Sequence, residues 1–157
     1  MLEPQVQGLT IQDIAVHRPE SIEHPSADEF CGRLIGQTFE RAERRGKFLL
    51  LWFESGDHIV LHLRMTGCLL VTPADMPEEK HTHLVFRLSN GKELRFSDTR
   101  RFGRFWLIAN EETDTYSGIE KLGVEPLASE CSVEYLRERL GKRKKAIKEC
   151  LLAQHIV

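Results

Sequence analysis

"HLVFRLSNGKELRFSD", residues 83–98, decides the fold. Two β-rich runs flank Asn90-Gly91. That pair suits a type I′ hairpin turn, whose central residues both take positive φ. Working outward, "RFWLIAN" (104–110) reads as one more strand on the far side. On the near side lie "CLLVT" (68–72), "HIVLHLRM" (58–65) and "KFLLLWFE" (47–54), the last a nearly continuous apolar run expected at the centre of a sheet. "SGD" turns the chain between the last two, Gly67 breaks another run, and "ADMPEEK" is loop. "GQTFERAERRG" (36–46) reads as a polar strand with a loop, and "LTIQDIAVH" (9–17) as a first strand. About eight strands with short turns, mostly antiparallel, point to a β-sandwich or barrel.

Helices flank this β run. "SADEFCGRL" (26–34) has Ser26 at an N-cap and acids in its first turn. After residue 110 the chain becomes a polar connector, "EETDTYSG". A helix capped by Ser132 and ended by Gly141 follows, and then a second helix over "KRKKAIKECLLAQHIV". The 157 residues have the length of one domain, divided here into strands over 1–112 and connector plus helices over 113–157. No run of 18 apolar residues exists, so no membrane helix is expected. "MLEPQVQG" does not read as a secretory leader, and the expected compartment is the cytoplasm, at the nucleoid.

The net charge of −2 hides a strong polarity. The windows "RAERRGK" (41–47), "DTRRFGR" (98–104) and "KRKKAIK" (142–148) hold 12 of the 22 basic residues and only two acids, Glu43 and Asp98. The rest of the chain carries a balance of −12. If the windows meet in space they form a footprint for a polyanion; if not, they are three solvated charge runs. Cys31, Cys68, Cys131 and Cys150 form no C-x-x-C pair and read as reduced, mostly buried thiols. His81 and His83 share a strand face without a third metal ligand beside them, so no metal site is expected.

Three places carry chemistry. Lys47 opens an apolar strand beside Arg44 and Arg45, where an ammonium serves proton transfer or a phosphate contact, or simply reaches out to water. In "LHLRMTG" (61–67), His62 and Arg64 share one side of the strand and Met65 stands where it breaks. In "TRRFGRF" (99–105), Phe102 precedes a glycine and is expected to project from a turn among arginines. Such an aromatic can wedge between bases while guanidiniums hold phosphates or a base edge. No Ser-His-Asp set, dinucleotide fingerprint or phosphate loop is present; "GKRKKAIK" lacks the required glycine spacing.

In chain order, "RRGKFLLL", "HLRMTG", "EEKHTHLVFRLSNGKELRFSDTRRFG", "LGVEPL" and "KKAIK" resemble the motifs of bacterial formamidopyrimidine-DNA glycosylases, a family shared with endonuclease VIII. The resemblance runs over nearly the whole chain. It implies a two-sheet antiparallel β-sandwich with flanking helices, and excision of oxidised purines such as 8-oxoguanine with AP-lyase activity. It also implies double-stranded DNA carrying an oxidised purine or abasic site as partner. By the same resemblance Lys47 contacts phosphate and assists proton transfer, and His62 contacts phosphate. Met65, Arg100 and Phe102 fill the space of an everted nucleotide, hold the orphaned cytosine and wedge the stack. His81, Arg143 and Lys148 match DNA-contacting residues.

The departures shape a further expectation. Family members begin Pro-Glu, and the proline amine is their nucleophile. Here the chain begins Met-Leu-Glu-Pro, and the nitrogen of Pro4 lies in an amide. The family's helix–two-turns–helix domain and its zinc finger lie beyond "AQHIV". The chain therefore reads as the N-terminal domain trimmed at both ends, with no cofactor of its own because the structural zinc belongs to the absent domain. It is expected to hold DNA without excising the lesion. The alternatives are a non-catalytic DNA-binding module, or a protein-interaction module that self-associates through surfaces exposed by the trimming.

Overall fold

The two runs around Asn90-Gly91 pair as read, and seven further strands join them. The computed structural model describes residues 1–157. Its strands are β1 (Ile11–Val16), β2 (Ile22–His24), β3 (Phe39–Arg45), β4 (Phe48–Phe53), β5 (His58–His62), β6 (Gly67–Pro73), β7 (Thr82–Leu88), β8 (Lys92–Asp98) and β9 (Arg104–Ile108). The helices are α1 (Glu3–Val6), α2 (Ala27–Leu34), α3 (Val133–Leu140) and α4 (Ile147–Leu152). The strands form a four-stranded sheet, β1-β7-β8-β6, and a five-stranded sheet, β2-β9-β5-β4-β3. Every pairing is antiparallel except β2 with β9.

The core lies between the two sheets. Alternation places Leu84, Phe86 and Leu88 of β7 and Leu94 and Phe96 of β8 on the inner face, opposite Leu51, Phe53, Ile59, Leu61, Phe105 and Leu107. Phe105 is its aromatic centre: its ring meets Phe96 edge-on at 4.9 Å and Phe30 edge-on at 6.2 Å. Phe30 comes from α2, so that helix contributes to the same core. Ser26 starts α2 by accepting from the Glu29 amide.

The chain divides into two units, Met1–Tyr116 and Ser117–Val157. In the second, Ser132 caps α3 by accepting from the Tyr135 amide. The Tyr135 hydroxyl donates to Ile156 O at 2.8 Å, and the Gly123 amide to Gln154 O at 2.8 Å. A side chain at Gly123 would collide with the backbone of Ile156, its Cβ 2.2 Å from the carbonyl oxygen.

Several expectations need correction. Gly91 takes φ +80° while Asn90 stays at negative φ, so the connection is not type I′. Instead the Gly91 amide donates to Leu88 O, as in the three-residue loop that ends on a left-handed glycine. β2 is a ninth strand; its three residues, Ile-Glu-His, are too short to show a period. The predicted second helix from Lys142 begins only at Ile147. Four consecutive cations, Lys142–Lys145, repel one another, and Ala146 stays extended. Strand β5 ends at His62, and Arg64 takes φ +58°, so His62 and Arg64 do not share a strand face. Of the four thiols only Cys150 is buried, and Cys68 is exposed because it lies on the outer face of an edge strand. No helix is long and apolar enough to cross a membrane.

Removing the central ring tests this architecture. Phe105→Ala should cost about 3–5 kcal/mol, read as a lowered urea midpoint. A loss below about 1 kcal/mol would show that the ring does not anchor both sheets.

Candidate nucleic-acid interface

Register gathers the basic residues at one end of the first unit. In the five-stranded sheet, Arg45 pairs with Phe48, Phe48 with His62, and His62 with Arg104. Lys47 sits in the turn before Phe48, exposed, its ammonium 5.7 Å from the Phe48 ring centre. In the four-stranded sheet, Gly67 pairs with Asp98 and Thr82 with Ser97. The β5–β6 loop (Leu63–Thr66) and the β8–β9 loop (Thr99–Gly103) therefore leave the same end. His81 stands there too, its carbonyl accepting from the Asp98 amide at 3.0 Å.

One buried carboxylate joins the two loops. Asp98 Oδ1 accepts from the Thr66 hydroxyl and from the Arg100 amide at 3.1 Å. Its Oδ2 accepts from the Gly103 amide at 2.8 Å. Burial pushes this carboxyl up, but the donors of Thr66, Gly103, Arg100 and Phe102 together outweigh it and hold it below its ordinary range. His83, buried, meets the Asp98 carbonyl with Nε2 at 2.7 Å. Two glycines make the loops fit. A Cβ on Gly103 would stand 2.4 Å from the Phe96 ring, and one on Gly67 would stand 2.3 Å from Leu63 O. Arg64 and Arg101 hold positive φ, +58° and +61°, a rare conformation for such residues.

This bracing presents Met65, Arg100 and Phe102 together. Met65 is 78% exposed and Phe102 50% exposed, values no core residue shows. The Arg100 guanidinium lies 5.1 Å from the Phe102 ring centre, and its Nη1 is 2.9 Å from the Met65 sulfur. Beside them Arg64, Met65, Phe102 and Arg104 line an open cleft of about 420 Å³. Arg104 braces the loop from below, donating to the carbonyls of Arg101 and Gly103 and pairing with Glu23 at 3.2 Å.

His62 is set for hydrogen bonding. The Arg64 amide donates to Nδ1 at 2.9 Å, which puts the ring proton on Nε2. That buried N–H has no acceptor in the chain. Burial, followed by the charges of Arg64 and Lys47, lowers the imidazole from 6.5 to about 4, so it is neutral at pH 7. An orphaned buried donor costs about 1–3 kcal/mol, a cost that an arriving acceptor removes.

Lys47, His62, Met65, His81, Arg100 and Phe102 thus share one end of the sandwich. Arg143 and Lys148 belong to the second unit. There Arg143 donates through Nε to Arg139 O at 3.4 Å and through Nη2 to His155 at 3.4 Å, and Lys148 is exposed on α4. Asp98 and Thr66 were not anticipated as site residues, whereas Arg104 belongs to the basic window 98–104. Asp98 carried a signal, as the lone acid of its basic window.

A β-sandwich whose two sheets end in a cationic, aromatic-tipped rim defines the class. Residues 1–105 match the family described as the formamidopyrimidine-DNA glycosylase N-terminal domain. A formamidopyrimidine-DNA glycosylase of Desulforamulus reducens is 45% identical over 157 residues, covering 99% of this chain and 57% of that protein. The Geobacillus kaustophilus protein of the same name is 43% identical, with 99% and 57% covered. A Lactococcus lactis formamidopyrimidine-DNA glycosylase solved on abasic-site DNA superposes with a TM-score of 0.90 at 31% identity, covering 99% of this chain and 59% of that one. The chain belongs to the formamidopyrimidine-DNA glycosylase family. It spans a little over half the length of the relatives it matches.

Two outcomes follow from this geometry. Between pH 6.5 and about 4 the unfolded chain binds a proton at His62 that the folded chain refuses. His62 therefore contributes stability above 6.5 that is lost as pH falls toward 4. Urea midpoints of His62→Gln should decline less over that window than those of the parent; equal declines would refute the buried neutral imidazole. Asp98→Ala should cost about 1–3 kcal/mol by removing the acceptor of the buried Gly103 amide and of the Thr66 hydroxyl, measured by urea unfolding.

Proposed function

We propose that residues 1–116 form the DNA-holding part of a base-excision DNA glycosylase and AP lyase that acts on oxidised purines. The observation that carries this is the exposed Met65–Arg100–Phe102 cluster, held by loops braced on a single buried carboxylate. Apolar tips held this firmly in water carry an unfavourable hydration cost, which insertion into an opened base stack relieves. Structures of the Lactococcus lactis relative with abasic-site DNA and with FAPY-dG DNA support the same partner.

Met65 and Phe102 enter the stack where a nucleotide has turned out. Arg100, carried between them, faces the unpaired base and offers a bidentate donor edge. The His62 Nε2–H donates to a phosphate oxygen as a neutral group, which adds a hydrogen bond but no counterion release. Arg45, Lys47, Arg64, Arg101 and Arg104 supply the charge. Lys47, an exposed amine on the same rim, assists proton transfer at the sugar. The remaining chemistry of oxidised-purine excision belongs to the whole family protein. The cytoplasm, where bacterial DNA lies, is the compartment this reading requires. A DNA-holding module without chemistry is the second reading, favoured by the number of rim residues that bind rather than react.

Filter binding of the 157-residue chain to an abasic-site duplex tests the proposal. Neutralising about five phosphates gives a log–log salt slope near −4.5; a slope near zero would refute it. Phe102→Ala should reduce the preference for the abasic over the intact duplex by about tenfold, since one stacked ring contributes about 1–3 kcal/mol. Its urea midpoint should hold, because the ring is exposed. Arg101→Ala should weaken both duplexes alike. Borohydride trapping separates the two readings: an adduct on the abasic strand marks an enzyme, and binding without adduct marks a holding module.

A further inference from the structure

Part of the outer face of the four-stranded sheet is covered. After β6, residues 74–81 cross back over it as a strap. Buried Arg95 holds the strap in place, donating to Met76 O at 2.7 Å and Pro77 O at 3.2 Å. A third contact joins Arg95 to Glu93 at 2.7 Å. His17 of the sheet edge meets Glu78 of the strap at 2.7 Å. Beneath the strap is a cavity of about 180 Å³ that shares no side chain with the Met65–Arg100–Phe102 cluster.

Its lining is amphipathic. Leu70, Met76 and Pro77 make apolar walls. The polar side carries Thr72, Thr82 and Ser97. Thr82 and Ser97 share one hydrogen bond of 3.1 Å, which leaves one of their two hydroxyl protons uncommitted. The Thr72 hydroxyl is buried with no partner. The two charged residues that line the cavity, Arg95 and Glu79, are of opposite sign, so their charges balance and neither an anion nor a cation is favoured. The volume falls below the about 300 Å³ at which drug-sized sites begin. The occupant is therefore small, uncharged, apolar on one side, and able to bond hydroxyls on the other. Cys68, exposed on β6, also lines the space.

We propose that the cavity beneath the 74–81 strap is a binding site for a small neutral molecule with one apolar side and one hydrogen-bonding side, a class for which benzamide is the probe, with the Cys68 thiol at its edge. The site needs no DNA and stands or falls apart from the glycosylase reading.

Cys68 gives a direct readout. The purified chain is treated with 2-chloro-N-phenylacetamide or with ringless 2-chloroacetamide, and its four thiols are followed by peptide mass spectrometry. In both, the thiolate sulfur forms a bond to the methylene carbon, chloride leaves with the electron pair of the broken C–Cl bond, and the thiol proton passes to buffer. The ring should raise the ratio of Cys68 to Cys131 labelling about tenfold over the ringless reagent. Unreactive benzamide should protect Cys68 alone. Its few heavy atoms can supply a Kd on the order of 1 mM, so about 10 mM should slow Cys68 labelling roughly tenfold. Equal ratios for the two reagents, or labelling of Cys68 unaffected by benzamide, would overturn the proposal.

Discussion

The rim rests on the Asp98 carboxylate. It is buried, yet it accepts from a hydroxyl of one loop and from amides of another, and its own backbone amide and carbonyl meet His81 and His83. A carboxylate with that many donors is worth more charged than neutral, even away from water. The loops it joins carry Met65 on one side and Arg100 and Phe102 on the other. Without a common acceptor, two loops from different strand pairs would have no reason to present their tips together.

The rest of the end is built around that join. Strand register aligns Arg45, Phe48, His62 and Arg104 across four strands, so charge from distant parts of the chain lands on one edge. Gly67 and Gly103 let backbone and ring approach closer than any side chain permits. Arg64 and Arg101 absorb a strained backbone at the loop tips. His62 keeps a buried donor without an acceptor. Each feature costs stability in the free protein, and each becomes useful when a polyanion arrives with acceptors and an open stack.

Much of this was legible in the chain. Eight of the nine strands were legible, seven from largely apolar or β-rich runs bounded by turn residues and β3 as a polar stretch, and Ser26 and Ser132 marked two helix starts that the structure keeps. The Asn90-Gly91 pair suggested a turn type, but loop length chose another. The apolar end of the last helix suggested a longer element, but the cations before it prevent helix there. β2 has three residues and exists because β9 offers it a partner.

What the sequence determined by itself was local: period, turn positions, caps, the clustering of basic residues and the projection of Phe102 ahead of a glycine. These follow from side-chain and backbone preferences within a few residues. Tertiary structure alone decided that two of the basic windows share one end, that Asp98 is the acceptor joining Thr66 to Gly103, and that the His62 imidazole is neutral with its proton on Nε2. Those depend on pairings between residues tens of positions apart and on burial. Neither is written in any one stretch of chain.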